Sequence, residues 1–124
     1  TSFTTIPGLT ATVTVPSNSI VLISTDGGMQ TNSALTNGYS SVDIAVFIDG
    51  TIQTNGAYQR IIAANTNGVT GVFAYWSESF ATTLVTGSHT ITVRAVYASG
   101  SSSTVGGLNT TVIQPELTVT IIKQ

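Results

Sequence analysis

From Leu9 to Val15 the chain alternates without a break, with Leu9, Ala11, Val13 and Val15 at odd positions and Thr10, Thr12 and Thr14 between them. A period of two places one residue set on one face only if the backbone is extended, so this stretch reads as a half-buried β-strand. The same alternation returns twice. Ile91, Val93, Ala95 and Tyr97 oppose Thr90, Thr92, Arg94 and Val96, and near the end Leu117, Val119 and Ile121 oppose Thr118 and Thr120. The residues that dominate, Thr, Val and Ile, are β-branched and suit a pleated surface. No window shows a helical 3.6-residue period.

Turn signals divide the chain at regular intervals. Pro16-Ser17-Asn18, Asn37-Gly38, Asp49-Gly50, Asn55-Gly56, Asn67-Gly68 and Thr86-Gly87 all supply residues that tolerate tight turns. Asp49-Gly50 between Ile48 and Thr51 is a compact hairpin signal. The pattern predicts eight strands, near 9–15, 19–25, 42–48, 57–64, 72–84, 89–98, 107–113 and 117–123. Residues 26–41 and 99–106 are left as loops. The fold class is all-β, a sandwich of two antiparallel sheets in a single domain over residues 1–124.

One strand departs from the half-buried pattern. Val42, Ile44, Val46 and Ile48 occupy one face of 42–48, and Ala45 and Phe47 occupy the other beside Asp43. A strand apolar on both faces is covered on both faces. With no helices available, the second cover is expected to be another sheet or another subunit. Charge content points the same way. Charged residues make up only 6% of the chain while 41% is hydrophobic. Mean hydropathy is +0.35, too apolar for disorder. Such a surface carries little repulsion between copies, so a homo-oligomer is expected, with Ala45, Phe47, Phe73 and Tyr75 at or near its interface.

Several function classes are poorly served. The cations are Arg60, Arg94 and Lys123, scattered within a net charge of −2, which does not form a nucleic-acid footprint. No apolar run approaches the roughly 20 residues of a membrane-spanning helix. Cysteine is absent, so thiolate metal sites and disulfides are excluded. The chain begins at Thr1 rather than Met, as expected of a processed product or an excised piece. His89 is the sole histidine and opens a strand after Gly87-Ser88, where it is expected to satisfy a backbone group. Without a Gly-x-Ser-x-Gly elbow it has no nucleophile assigned to it. Asp26-Gly27-Gly28 lacks the repeated acidic pattern of a calcium loop and reads as a turn. No metal and no cofactor are expected.

Glu78 and Glu116 are the pair on which a polysaccharide-acting enzyme would stand, since glycoside hydrolysis needs two carboxylates flanking one bond. Trp76 and Glu78 share a strand face. They read either as a sugar platform or as an aromatic packed beside a satisfied acid. Asp43 reads either as the solvent end of its strand or as the partner of Arg60 or Arg94. Asn109-Thr110-Thr111 is an N-glycosylation sequon.

The stretch Ser41-Val42-Asp43-Ile44-Ala45-Val46-Phe47-Ile48-Asp49-Gly50 resembles the central strand and following turn of tumour necrosis factor-like jelly rolls, which include complement-protein heads. Gly87-Ser88-His89-Thr90-Ile91-Thr92-Val93 resembles a later strand of the same superfamily, and Glu116 to Lys123 resembles its terminal strand. Similar heads occur at the tips of bacterial and phage fibres. The resemblance implies a jelly-roll sandwich of 8–10 strands, a tight trimer and a recognition role. To reach ten, two strands would have to come from 26–41, through Met29, Ala34, Leu35 and Tyr39.

Together these readings lead to a non-enzymatic, homotrimeric head of a fibre or surface protein that recognises a receptor or cell-surface glycan. Its expected place is extracellular, at a cell surface or on a virion. The alternative is a structural subunit of a filament, surface layer or capsid decoration. Eight alternating strands would put both chain ends together, and the opposite end would present Gln53, Asn55 and Tyr58 to a ligand. Trp76 and Glu78 would supply a second, lateral site.

Overall fold

The computed structural model describes residues 2–108 and 110–124. Among them the only regular elements are strands: β1 (Thr4–Val15), β2 (Ser19–Thr31), β3 (Tyr39–Ile48), β4 (Thr51–Ile52), β5 (Tyr58–Ala64), β6 (Phe73–Thr82), β7 (Gly87–Gly100), β8 (Ser103–Val105) and β9 (Glu116–Lys123). They form two antiparallel sheets stacked as a β-sandwich. In the first, β7 lies between β1 and β3, and the far side of β3 pairs with β5 and then β4. In the second, β2 lies between β6 and a line made of β8 and β9. Three pairings nest inside one another: β1 with β7, β2 with β6, and β3 with β5.

The alternating patterns are seated as the sequence requires. Leu9, Val15, Ile91 and Val93 face the interior, and Leu117, Val119 and Ile121 line its edge. Val21, Ile23, Met29, Ile44, Val46 and Trp76 complete the centre of the core. The Asp49-Gly50 turn takes positive φ at both residues, as a two-residue hairpin loop demands.

Three expectations are corrected. Among the described residues of 107–113 there is no strand. Backbone groups there go elsewhere, the Leu108 amide to Pro7 and the Thr110 amide back to Gly107. Gly106 packs where any side chain would overlap the backbone of Ile113. Second, residues 26–31 are not a loop but the second half of β2, and 103–105 form β8 against it. Only 32–38 connects β2 to β3. Third, the chain ends do not share one end of the sandwich. β8 and β9 both pair antiparallel with β2, so no reversal separates them and β9 runs the opposite way to the expectation. Gln124 therefore finishes beside Asn18, donating its amide to the Asn18 carbonyl. Phe3, near the other terminus, lies over the outer face of the first sheet.

The second cover of β3 is also not what the sequence implied. Ala45 is fully buried and Phe47 is 8% exposed. Phe47 is covered from within the chain, by the Phe3 ring at 5.3 Å and the Arg94 guanidinium 4.2 Å above its ring centre. These two residues need no second subunit to leave water. The cover comes from a chain end and a long cation, neither of which a periodicity argument registers.

Candidate functional site

Asp26, Gly27 and Gly28 lie mid-strand because of what faces them. In the β2–β6 ladder Gly27 pairs with Trp76 and Gly28 with Tyr75. The two aromatic rings fold back across β2 on opposite faces of the sheet. A Cβ on Gly27 would overlap the Trp76 ring inside the sandwich. A Cβ on Gly28 would fall 2.9 Å from Cδ1 of Tyr75 and 3.1 Å from Ile113. The glycines are therefore sockets for rings rather than turn formers.

This register decides the fate of the lateral residues. Trp76 is 1% exposed, with its indole N–H donating to the Thr25 hydroxyl at 3.2 Å. Glu78, on the same inner face, is 6% exposed. Among the described residues no hydrogen bond reaches either of its carboxylate oxygens. Burial pushes its carboxyl up to about 7. Neither side chain offers a surface to a sugar. Tyr75, one residue away and on the outer face, is 63% exposed. It lines a shallow groove of about 200 Å³ together with Asp26, Val112, Ile113 and Gln114. The alternation identified two faces in this strand; which one looks outward was decided by the glycines opposite.

Glu78 and Glu116 cannot flank one substrate. Glu78 pairs with Thr25 and Glu116 with Asp26, adjacent residues of β2 whose side chains point to opposite faces. Glu116 is exposed on the outer face and accepts a hydrogen bond from the Thr118 hydroxyl.

The residues expected at the far end are separated. Gln53 and Asn55 share a groove of about 190 Å³ with Ile52, Phe80 and Thr82. Tyr58 belongs to a different cluster. Its hydroxyl donates to Oδ2 of Asp43 at 2.5 Å, and its ring meets Phe3. Arg60 closes that cluster with a two-pronged grip on Asp43, Nε to Oδ1 at 2.6 Å and Nη2 to Oδ2 at 2.9 Å. Of the two readings of Asp43, pairing with Arg60 is the one realised. Arg60 and then Tyr58 outweigh desolvation and hold its carboxyl below the usual range, while Asp43 raises both partners.

His89 spends both ring nitrogens. Nδ1 meets Oδ2 of Asp49 at 2.6 Å and Nε2 meets the Val85 carbonyl at 2.8 Å. Both partners are acceptors, so the imidazolium satisfies both contacts. Asp49, and secondly Val85, raise the histidine's pKa. The other Asp49 oxygen accepts the Thr90 amide, which together with His89 lowers the Asp49 carboxyl. Asn109 lies outside the described residues. Among the described residues, no group of three or more His, Asp or Glu side chains could hold a metal ion.

No family model matches this chain, and no curated protein matches it.

Proposed function

We propose that this chain is a non-enzymatic, homotrimeric head of an extracellular fibre or surface protein, displayed on a cell or virion, that recognises a receptor or glycan. The observation that carries this reading is the nested pairing. One long antiparallel ribbon, β1–β3 folded back on β5–β7, is wound over itself, and β9 closes the second sheet beside β2. That nesting is compatible with the jelly-roll scheme implied by the tumour necrosis factor-like resemblance and supports this reading. The non-enzymatic part is supported by His89, whose nitrogens are both engaged, and by the separation of Glu78 from Glu116.

Assembly is best supported by the outer face of the second sheet. Ile20 sits beside Ile122, Leu22 between Thr120 and Ala81, and Ser24 between Thr118 and Ser79. These three rows carry no charge, and Leu22 and Ile122 are 39% and 41% exposed. Such a surface costs little to desolvate against a copy of itself. Sedimentation at micromolar concentration is expected to give a trimer, and Leu22→Arg a folded monomer. A wild-type monomer would refute the assembly.

The structural-subunit reading is favoured by one observation. Among the described residues β9 pairs only with β2, leaving its outer edge open along Thr118–Ile122. An open edge can receive a strand from another copy. Filaments in negative-stain micrographs of concentrated protein, in place of closed trimers, would decide for it.

A further inference from the structure

We propose that the groove around Tyr75 binds a glycan carrying an amino sugar, whose pyranose ring stacks on the tyrosine and whose ammonium group is held by Asp26. This rests on the recognition reading above and names its site and ligand class.

The aromatic platform comes first. Tyr75 is the most exposed of the large aromatic side chains. Its ring lies across Gly28, over the space a side chain there would fill, with Ile113 beside it in the groove. The hydroxyls of Tyr58 and Tyr97 are committed to Asp43 and to the Gly100 carbonyl, whereas among the described residues the Tyr75 hydroxyl has no hydrogen-bond partner. A ring lying on the sheet with an open face and a free hydroxyl is suited to the apolar face and polar rim of a sugar. Val112, 70% exposed across the groove, extends the apolar floor, and Gln114 adds a planar amide at its side.

Charge then selects among sugars. Two residues along the sheet from Tyr75, Asp26 and Glu116 stand directly opposite each other on the outer face. Opposed like charges in an antiparallel pair are unfavourable. No cation relieves them: among the described residues the ion pairs are Arg60–Asp43 and His89–Asp49. The other cations are engaged elsewhere, Arg94 over Phe47 and Lys123 on the Ser17 carbonyl. An occupant bearing an ammonium group removes this repulsion, and a neutral or anionic sugar does not. A lysine side chain would answer the charge but leave the Tyr75 ring face and the Gln114 amide without a matching surface.

The test is calorimetric titration of the full chain at about pH 6, where free amines are protonated. The probes are a short glucosamine oligosaccharide, its N-acetylated counterpart and oligolysine. Binding is expected for the glucosamine oligomer alone. Tyr75→Ala should weaken it about tenfold, as loss of one stacked face implies, and Tyr75→Phe by no more than about twofold. Asp26→Asn should weaken it by a comparable factor, with a salt dependence that disappears in the variant. Equal binding of the N-acetylated oligomer or of oligolysine would overturn the proposal, as would binding indifferent to Tyr75→Ala. Sedimentation of the same samples separates the two readings. A trimer that binds no probe refutes the groove and leaves the assembly standing. A monomer that binds through Tyr75 supports the groove and refutes the assembly.

Discussion

Phe47 and Glu78 are both buried, one apolar and the other ionisable. Phe47 is an apolar side chain whose cover, Phe3 and Arg94, is brought from distant parts of the same chain. Phe47→Asp is therefore expected to unfold the subunit rather than release intact subunits, at a cost of about 3–5 kcal/mol by urea titration. Phe3→Ala should cost about 1–2 kcal/mol, the loss of one partly buried ring. Dissociation into folded monomers by Phe47→Asp would contradict the intrachain cover. Glu78 is a buried carboxyl group neither of whose oxygens has a hydrogen-bond partner among the described residues. Its pKa of about 7 lies above the unfolded value, so the folded state holds a proton that the unfolded state releases. Stability must then fall as pH rises from about 4.5 to about 7, by on the order of 2 kcal/mol, and level off above. Glu78→Leu should raise stability at pH 8 and flatten that slope. A slope unchanged by the substitution would place the titration elsewhere.

The elements show why parity matters more than propensity here. β2 carries two consecutive glycines in a strand interior, ordinarily a weakness. It is sustained because Trp76 and Tyr75 of β6 fill the two vacant positions from opposite sides. Gly27→Ala should therefore be more damaging than Gly28→Ala. The first clashes with a ring sealed in the core, the second with a ring that can lift into solvent, and a difference of about 1–3 kcal/mol is expected by thermal unfolding. A second element-level device fastens the β3–β4 turn to β7: Asp49 accepts from His89 and from the Thr90 amide. The histidine's raised pKa means its contribution is complete below about pH 6.5 and is lost as pH rises through the folded value. The aspartate's lowered pKa means its contribution is complete above about pH 4 and is lost on acidification through the folded value. Of this clasp, the strand-end position of His89 was legible in Gly87-Ser88-His89. Its partner, 40 residues earlier, was not, because only the register of β3 against β7 brings them together.

For the whole molecule the groups that titrate near neutrality add in one direction, and those that titrate in acid act in the other. Glu78 and His89 both withdraw stability as pH rises, and Asp43 and Asp49 withdraw it only in strong acid. The stability maximum is expected at about pH 4–5, on the acid side of the pH 5–8 range common to folded domains. A series of melting temperatures across pH 3–9 with its maximum at pH 7 or above would contradict both assignments. The low charge content of the chain also leaves the outer face of the second sheet nearly free of charge at one end. At the other end, the acids Asp26 and Glu116 flank the Tyr75 groove.

The sequence by itself determined the strand class, most of the strand positions, the Asp49-Gly50 turn and the two apolar faces of β3, because these are local consequences of side-chain period and turn chemistry. Tertiary structure alone decided which face of β6 looks inward, what covers Phe47 and which way the last strand runs. The first depended on glycines 47 or more residues away in the chain, the second on a terminal aromatic, and the third on whether one short segment, 107–113, paired or looped. A one-residue change of parity exchanges inside and outside along a whole strand, and whether a connection reverses the chain or carries it onward sets the direction of the strand that follows. Both are properties of pairing between distant segments, which no window of local sequence contains.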